Sequence, residues 1–130
     1  MARQIYSLGH DFFDSLCPEV VRGLINDEIF SDVTLISGDG VSIKAHRNIV
    51  ASFSETLKTV FVENTSKNYL SVYLMDIDGN ILRNLKNFIY VGEAEVPSES
   101  LDIFLKAGTK LKIKGLTQQD DSLQNVETDT

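Results

Sequence analysis

The sequence predicts a single α+β domain in which a cluster of short helices packs against a small β-sheet. A chain of 130 residues is long enough for one domain and too short for two. Apolar and polar residues alternate over four short segments, which is typical of strands, and apolar residues recur at helical spacing between them. Because both patterns are interspersed along one short chain, a helix cluster against a sheet accounts for them together.

The first predicted helix lies within residues 13–25. Its apolar stripe is formed by five side chains: Phe13, Leu16, Val20, Val21 and Leu24. Pro18 falls inside this stripe. Because proline has no N–H and only first-turn amides lack a helical partner, we expect Ser15 or Cys17 to be the N-cap and Pro18 to lie in the first turn.

A β-hairpin and two short helices come next. Alternating apolar residues predict strands over residues 33–37 and 41–45, joined by a turn rich in glycine. Two helices then cover residues 46–52 and 55–61. Ser54 between them is a candidate N-cap for the second helix, because its hydroxyl can accept a hydrogen bond from a first-turn amide.

The second half of the chain predicts strand, helix, strand and helix. Residues 70–74 and 93–96 have the strand pattern. The helix between them is opened by Asp78 and stopped by Gly92, since glycine adopts the left-handed conformation at helix ends without steric cost. The last helix spans residues 97–115.

The two ends of the chain are expected to differ from its body. Residues 117–130 carry four acidic residues, no Lys or Arg, and only two apolar side chains. This composition predicts an acidic disordered linker. We therefore divide the chain into an N-terminal strand or arm (residues 1–12), a folded domain (residues 13–116) and this tail.

The composition excludes several classes of function. The 19 acidic residues outnumber the 12 basic ones, so a net charge of -7 repels a phosphate backbone and we expect no direct nucleic-acid contact. One cysteine cannot form an internal disulfide, and with two histidines it supplies too few ligands for a structural zinc site. No apolar run predicts a membrane span and no signal peptide is evident, so we expect an intracellular protein without membrane contact.

No group of residues predicts catalysis or a cofactor. Residues 38–40 read Gly-Asp-Gly in a hairpin turn, where no helix follows to bind a phosphate. Residues 76–80 resemble part of a calcium loop, but they lack its closing glutamate and are better explained as a helix cap. His46 and Cys17 could be paired as base and nucleophile, yet Cys17 lies on the apolar stripe. We therefore expect no enzyme activity, no metal and no cofactor.

Four segments resemble the BTB/POZ domain when they are taken in this order and spacing. They read FSDVTL at residues 30–35, IKAHRNIVAS at 43–52, YVGEAEV at 90–96 and LKIKGL at 111–116. The resemblance covers about residues 6–117. It implies the BTB/POZ fold, which is α+β, and a protein–protein interaction domain that is usually an obligate homodimer.

The N-terminal segment narrows the resemblance to the tramtrack group of arthropod BTB domains. That group has an aromatic-x-Leu-Arg-Trp-Asn-Asn signature where residues 6–12 of this chain read YSLGHDF. Gly9, His10 and Phe12 replace the Arg, the Trp and the second Asn, so the signature is degenerate. The group implies a transcription or chromatin-architecture regulator in the nucleus, with DNA binding in a segment downstream of this domain.

The resemblance also implies that the first helix packs against its copy in a partner chain. The expected dimer-interface residues are Tyr6, Leu8, Phe12, Phe13, Leu16, Val20, Asp32 and Arg47. Among them, Asp32 and Arg47 match a charged pair that lines a pocket at the family's interface, and we expect them to be buried together. The residues alone leave an alternative, in which the stripe packs on its own domain and Arg47 faces water.

A strand exchange is implied as well. Tyr6 and Leu8 alternate as in a strand, and the group's N-terminal strand pairs with the partner's sheet, which would satisfy an exposed edge. The expected pairing residues are Glu93, Ala94, Glu95 and Val96. In the tramtrack group this region is also associated with assemblies larger than a dimer. The alternative is a frayed terminus.

A second function, from a different class, is that of a substrate adaptor for a cullin-type ubiquitin ligase. Residues 61–63 read Phe-Val-Glu, the hydrophobic-x-Glu form that such adaptors show after the third helix. Phe61 and Glu63 are therefore the expected cullin contacts. In the leading interpretation the partners are instead a second copy of the chain, related BTB proteins and co-regulators.

Overall fold

The computed structural model describes residues 3–116 and confirms the α+β class. Its elements follow in this order: α1 (Phe13–Gly23), β1 (Val33–Ser37), β2 (Ser42–Ala45), α2 (Arg47–Phe53), α3 (Glu55–Val62), β3 (Leu70–Leu74), α4 (Gly79–Val91), a 3-10 turn (Ser98–Ser100) and α5 (Leu101–Lys110). The acidic tail predicted for residues 117–130 lies outside the described residues.

Strand β1 is the centre of a three-stranded sheet in the order β2-β1-β3. β2 returns antiparallel to β1 through the predicted hairpin, with Ile43 opposite Leu35. β3 runs parallel to β1 and places Val72 opposite the same leucine, with α2 and α3 as the crossover that a parallel pair needs. Val33 and Leu35 of β1 are buried in the core together with Leu85 of α4.

The side-chain caps predicted at Ser54 and Asp78 form. The Ser54 hydroxyl accepts a hydrogen bond from the Leu57 amide at 3.1 Å and starts α3. The Asp78 carboxylate accepts one from the Ile81 amide at 2.9 Å and starts α4, so the run that resembles a calcium loop is used here as a cap. Gly92 ends α4 with a φ of 94°, in the left-handed region that favours glycine.

The expected start of the first helix is wrong. α1 begins at Phe13, and Pro18 lies in its second turn. The Phe12 amide donates to His10 Nδ1 at 3.1 Å, and the Ser15 hydroxyl donates to the Phe12 carbonyl at 3.1 Å, so local hydrogen bonds start the helix ahead of the proline. The carbonyl that Pro18 leaves without a helical donor belongs to an exposed residue, where water can satisfy it.

The strand predicted over residues 93–96 is also wrong for the single chain. This segment pairs with no strand among the described residues. Ala94 and Val96 pack against the core while the two glutamates are exposed, so the alternation in the sequence reflects burial and not strand pairing. Its edge is therefore left open by residues 3–116.

Gly38 sits where the hairpin turn meets the segment after β3. Its amide donates to the Ile77 carbonyl at 2.8 Å, and an added Cβ would overlap the Met75 carbonyl oxygen. We expect Gly38→Ala to lower the free energy of unfolding by about 1–3 kcal/mol, because the two backbone segments must separate. Chemical denaturation beside Gly9→Ala, which adds a Cβ in open space, measures the effect, and equal stabilities would contradict it.

Candidate interaction surface

The outer side of α1 has no cover from the part of the chain that the structure describes. No residue of α1 is buried, and Phe13, Leu16 and Val20 are 57%, 44% and 55% exposed. Val21 and Leu24, at the inner side, are half-buried and pack against the core. The predicted stripe is thus divided: its inner part packs on its own domain, and the other three side chains, here called the α1 face, point to solvent.

The N-terminal arm, described over residues 3–12, adds to this apolar surface. Tyr6, Leu8 and Phe12 are each more than 70% exposed, and so is Ile5, which the sequence analysis did not single out. The described part of the arm contains no strand. A large contiguous apolar surface is uncommon on a monomer and typically marks an interaction site.

The loop between α1 and β1 supplies two more exposed apolar side chains, Ile29 and Phe30. Phe30 lines a groove of about 900 Å³ together with Val21 of α1, Leu24 just after that helix and Ile49 of α2. Sequence reasoning used Phe30 only as part of a family motif. Two adjacent large apolar residues in a polar loop were the available signal for an exposed contact.

Asp32 and Arg47 meet at the wall of this groove. Arg47 Nε lies 3.4 Å from Asp32 Oδ2, and the Arg47 amide donates to Asp32 Oδ1 at 2.7 Å. The guanidinium also donates to the carbonyls of Lys67 at 2.7 Å and Asn68 at 2.8 Å, and its side chain is 14% exposed. The Asp32 side chain is 43% exposed, so the two partners are not buried together within residues 3–116. The pair therefore holds the loop after α3 within one chain, whereas its place in a dimer interface stays a prediction.

A hydrogen-bonded network lies behind the groove. The Tyr90 hydroxyl accepts a hydrogen bond from the His46 amide at 2.9 Å and lies 2.7 Å from His46 Nδ1. On the other side of the ring, His46 Nε2 lies 2.9 Å from Asp27 Oδ2. Because an ionised carboxylate only accepts hydrogen bonds, Nε2 of His46 donates to Asp27, and in the neutral ring Nδ1 then accepts from the Tyr90 hydroxyl. Burial raises the pKa of Tyr90 to about 12. The hydrogen bond from His46 lowers the pKa of Asp27.

Lys86 of α4 completes this network. Its ammonium group donates to the carbonyls of Ile25 at 2.6 Å and Lys44 at 2.7 Å and lies 5.2 Å from the centre of the Tyr90 ring. Burial lowers the pKa of Lys86. We call Asp27, His46, Lys86 and Tyr90 the polar anchor, because together they tie the segment after α1 to β2, α2 and α4.

The anchor predicts acid sensitivity. A carboxyl whose pKa is lowered by folding contributes stability that is present above its unfolded pKa of about 4 and is lost as the pH falls through the folded pKa. We expect urea unfolding to show a loss of stability from pH 5 to pH 3, and Asp27→Asn to lose less. Asp102→Asn, which removes only an exposed pair with Lys106, should retain the wild-type decline, and an equal effect of both would contradict the assignment.

The predicted cullin contact needs correction at Phe61. This side chain is 5% exposed and belongs to the core, because α3 turns it inward, whereas Val62 is 60% exposed and Glu63 is also exposed. Val62 and Glu63 are therefore accessible to a partner, whereas the side chain of Phe61 is not.

Between residues 3 and 116, no group of His, Cys, Asp and Glu is placed to hold a metal ion, and no helix is long and apolar enough to span a membrane.

Comparison with known proteins identifies the family that has this architecture. The chain is 35% identical to the alpha isoform of the tramtrack protein of Drosophila melanogaster over 121 residues, which are 93% of this chain and 15% of that protein. It is 35% identical over 103 residues to the longitudinals lacking protein-like of the same organism, covering 79% of this chain and 80% of the relative. The solved BTB domain of zebrafish PATZ1 superposes with a TM-score of 0.74 at 21% identity, over 97% of this chain and 100% of that one. The family model for the BTB/POZ domain matches residues 22–125, and the chain therefore belongs to the BTB/POZ domain family, as its sequence motifs predicted.

Proposed function

We propose that this BTB/POZ domain self-associates through the α1 face and the N-terminal arm, and that this brings together copies of a nuclear regulator of transcription or chromatin architecture. One observation carries the proposal: Phe13, Leu16 and Val20 form an apolar helix face that residues 3–116 leave uncovered. A two-fold contact would cover this face on both copies at once.

The magnitude of apolar burial favours such a contact. At about 25 cal/mol per Å², covering a patch of about 400 Å² on each of two chains contributes about 20 kcal/mol. Association costs about 4–15 kcal/mol in lost freedom of motion. The α1 face together with Tyr6, Leu8 and Phe12 of the arm would hold a dimer if it covered an area of this order.

The arm and residues 93–96 supply a second element of the proposal. Among the described residues of one chain, the arm has no strand partner, and residues 93–96 have an open edge and alternating burial. Pairing the arm of one copy with residues 93–96 of the other would satisfy both edges. Such an exchange, repeated between dimers, would also give larger assemblies.

The regulatory part of the proposal rests on the likeness to the tramtrack group. The chain covers 15% of the length of its tramtrack relative, so the activity of a longer protein would depend on segments beyond this domain. Joining copies raises the local concentration of a weak binding segment without adding contacts. A chain with 12 basic and 19 acidic residues suits that role, since it need not touch nucleic acid.

Sedimentation equilibrium of the purified chain tests self-association. We expect a mass at least twice the 14.5 kDa of one chain at micromolar concentration. A single monomeric species up to about 100 μM, a concentration that corresponds to a contact weaker than about 5.5 kcal/mol, would reject the proposal.

The adaptor function is the second candidate, and the exposed pair Val62 and Glu63 favours it. A pull-down with the N-terminal domain of a cullin separates the two functions. Binding that is lost in Glu63→Lys and retained in Glu99→Lys, a change at another exposed glutamate, would support the adaptor. No capture at micromolar concentration would leave self-association as the function.

A further inference from the structure

Lys86 is placed differently from the paired lysines on the surface of the domain. In the part of the chain that the structure describes, Lys44, Lys106 and Lys110 pair with carboxylates, whereas no carboxylate lies within 4 Å of Lys86 Nζ. Its partners are the carbonyl oxygens of Ile25 and of the Lys44 backbone, at 2.6 Å and 2.7 Å. An apolar residue at this position would leave both carbonyls without this donor.

These two carbonyls belong to different layers of the fold. Ile25 lies just after the end of α1, where the helix carbonyls carry partial negative charge that a cation stabilises. Lys44 lies on β2. The Lys86 ammonium group, on α4, therefore fastens the end of α1 to the sheet.

Few other contacts fix the orientation of α1. None of its residues is buried, and its packing on the core uses half-buried side chains. One polar contact joins α1 itself to α4: the Arg22 side chain donates a hydrogen bond to the Val91 carbonyl, and this bond is long at 3.5 Å. The following loop is held by Asp27, which accepts from the Phe30 amide at 3.0 Å and contacts His46.

We propose that Lys86 is a positioning residue for self-association. By holding the Ile25 carbonyl it fixes the angle of α1 and the path of the loop that carries Phe30, and so it aligns the apolar surface that a second copy must match. This inference rests on the proposed dimer. Under this inference Lys86 is not itself a contact residue, because it acts on the dimer by positioning the end of α1.

The test compares Lys86→Met with Lys44→Met in the full chain. Lys86→Met keeps the apolar stem and removes the donor. Lys44→Met removes one positive charge from the same cleft, where its side chain pairs with exposed Glu28 at 3.1 Å, and it leaves the carbonyl in place. The dimer dissociation constant is measured by sedimentation, and amide hydrogen exchange is followed over residues 24–30 and over β1.

We expect Lys86→Met to raise the dissociation constant at least tenfold and Lys44→Met to change it less than twofold. Exchange should become at least tenfold faster over residues 24–30 and stay unchanged over β1, a pattern that general destabilisation would not give. A dissociation constant within twofold of wild type, equal effects of both variants, or faster exchange throughout β1 would overturn the inference.

Two further outcomes remain decisive. Should Lys86→Met fail to fold, Lys86→Gln, which keeps a donor for one carbonyl, takes its place under the same criteria. Should the wild-type chain be monomeric, the proposed dimer fails. The exchange pattern over residues 24–30 then still shows whether Lys86 holds the end of α1, and unchanged exchange there rejects the anchor on its own.

Discussion

Replacing Val20 with glutamate is expected to turn a dimeric chain into a monomer without loosening its fold. Val20 is 55% exposed in the single chain, so a carboxylate there remains hydrated in the monomer. In a two-fold contact the same carboxylate would be buried twice without a partner, and an uncompensated buried charge costs about 3–5 kcal/mol. The dissociation constant should rise more than about 100-fold, since each 1.4 kcal/mol is a factor of ten.

Sedimentation equilibrium measures the loss of the dimer, and thermal unfolding measures whether the fold is kept. Ile103→Glu is the matched control, because Ile103 is similarly exposed but lies on α5, away from the α1 face. Leu16→Glu, one helical turn before Val20, should act like Val20→Glu. The proposed use of the α1 face is wrong if Val20→Glu and Leu16→Glu remain dimeric, or if Ile103→Glu dissociates the chain equally.

Local signals in the sequence were sufficient for most of the fold. Ser54 and Asp78 start their helices through their own side chains, and Gly92 ends α4 through its left-handed backbone. Each of these effects depends on residues within four positions, so the sequence contains the whole cause. The apolar stripe of α1 could likewise be read from spacing alone, but which of its residues would stay uncovered depended on where α4 lies.

The start of α1 was missed for a local reason, because it depends on a hydrogen bond from the Phe12 amide to the side chain of His10, which no helix propensity describes. The strand expected over residues 93–96 failed because distant residues decide the outcome. These residues alternate like a strand, yet a strand forms only beside another edge, and residues 3–116 offer none to this segment.

The polar anchor was invisible for the same reason. Lys86 and Tyr90 share one helix, but their partners are distant in sequence. Ile25 lies 61 positions from Lys86, and His46 lies 44 positions from Tyr90. The network around His46 satisfies both ring nitrogens of this buried side chain. A helix stripe predicts which residues are buried, whereas the pairing of polar groups from separate elements follows only from the assembled fold.

Tyr90→Phe is the substitution in this network that should lower the stability of the domain most. The hydroxyl is buried and serves two atoms of His46, the amide nitrogen at 2.9 Å and Nδ1 at 2.7 Å. Phenylalanine keeps the ring but leaves both groups unsatisfied, and each buried unsatisfied group costs about 1–3 kcal/mol. We expect the free energy of unfolding to fall by about 2–4 kcal/mol, with Tyr73→Phe on the exposed side of β3 within about 0.5 kcal/mol of wild type.

Alkaline unfolding gives an independent readout of the same hydroxyl. Because folding raises the pKa of Tyr90 to about 12, the unfolded chain ionises this group first, near pH 10. The stability that the neutral phenol contributes is therefore complete below pH 10 and is lost as the pH rises toward 12. The wild-type chain should lose more stability from pH 9 to pH 11 than Tyr90→Phe, whereas Tyr73→Phe should follow the wild type. Parallel curves for all three proteins would mean that the Tyr90 phenol ionises as readily in the folded chain as in water.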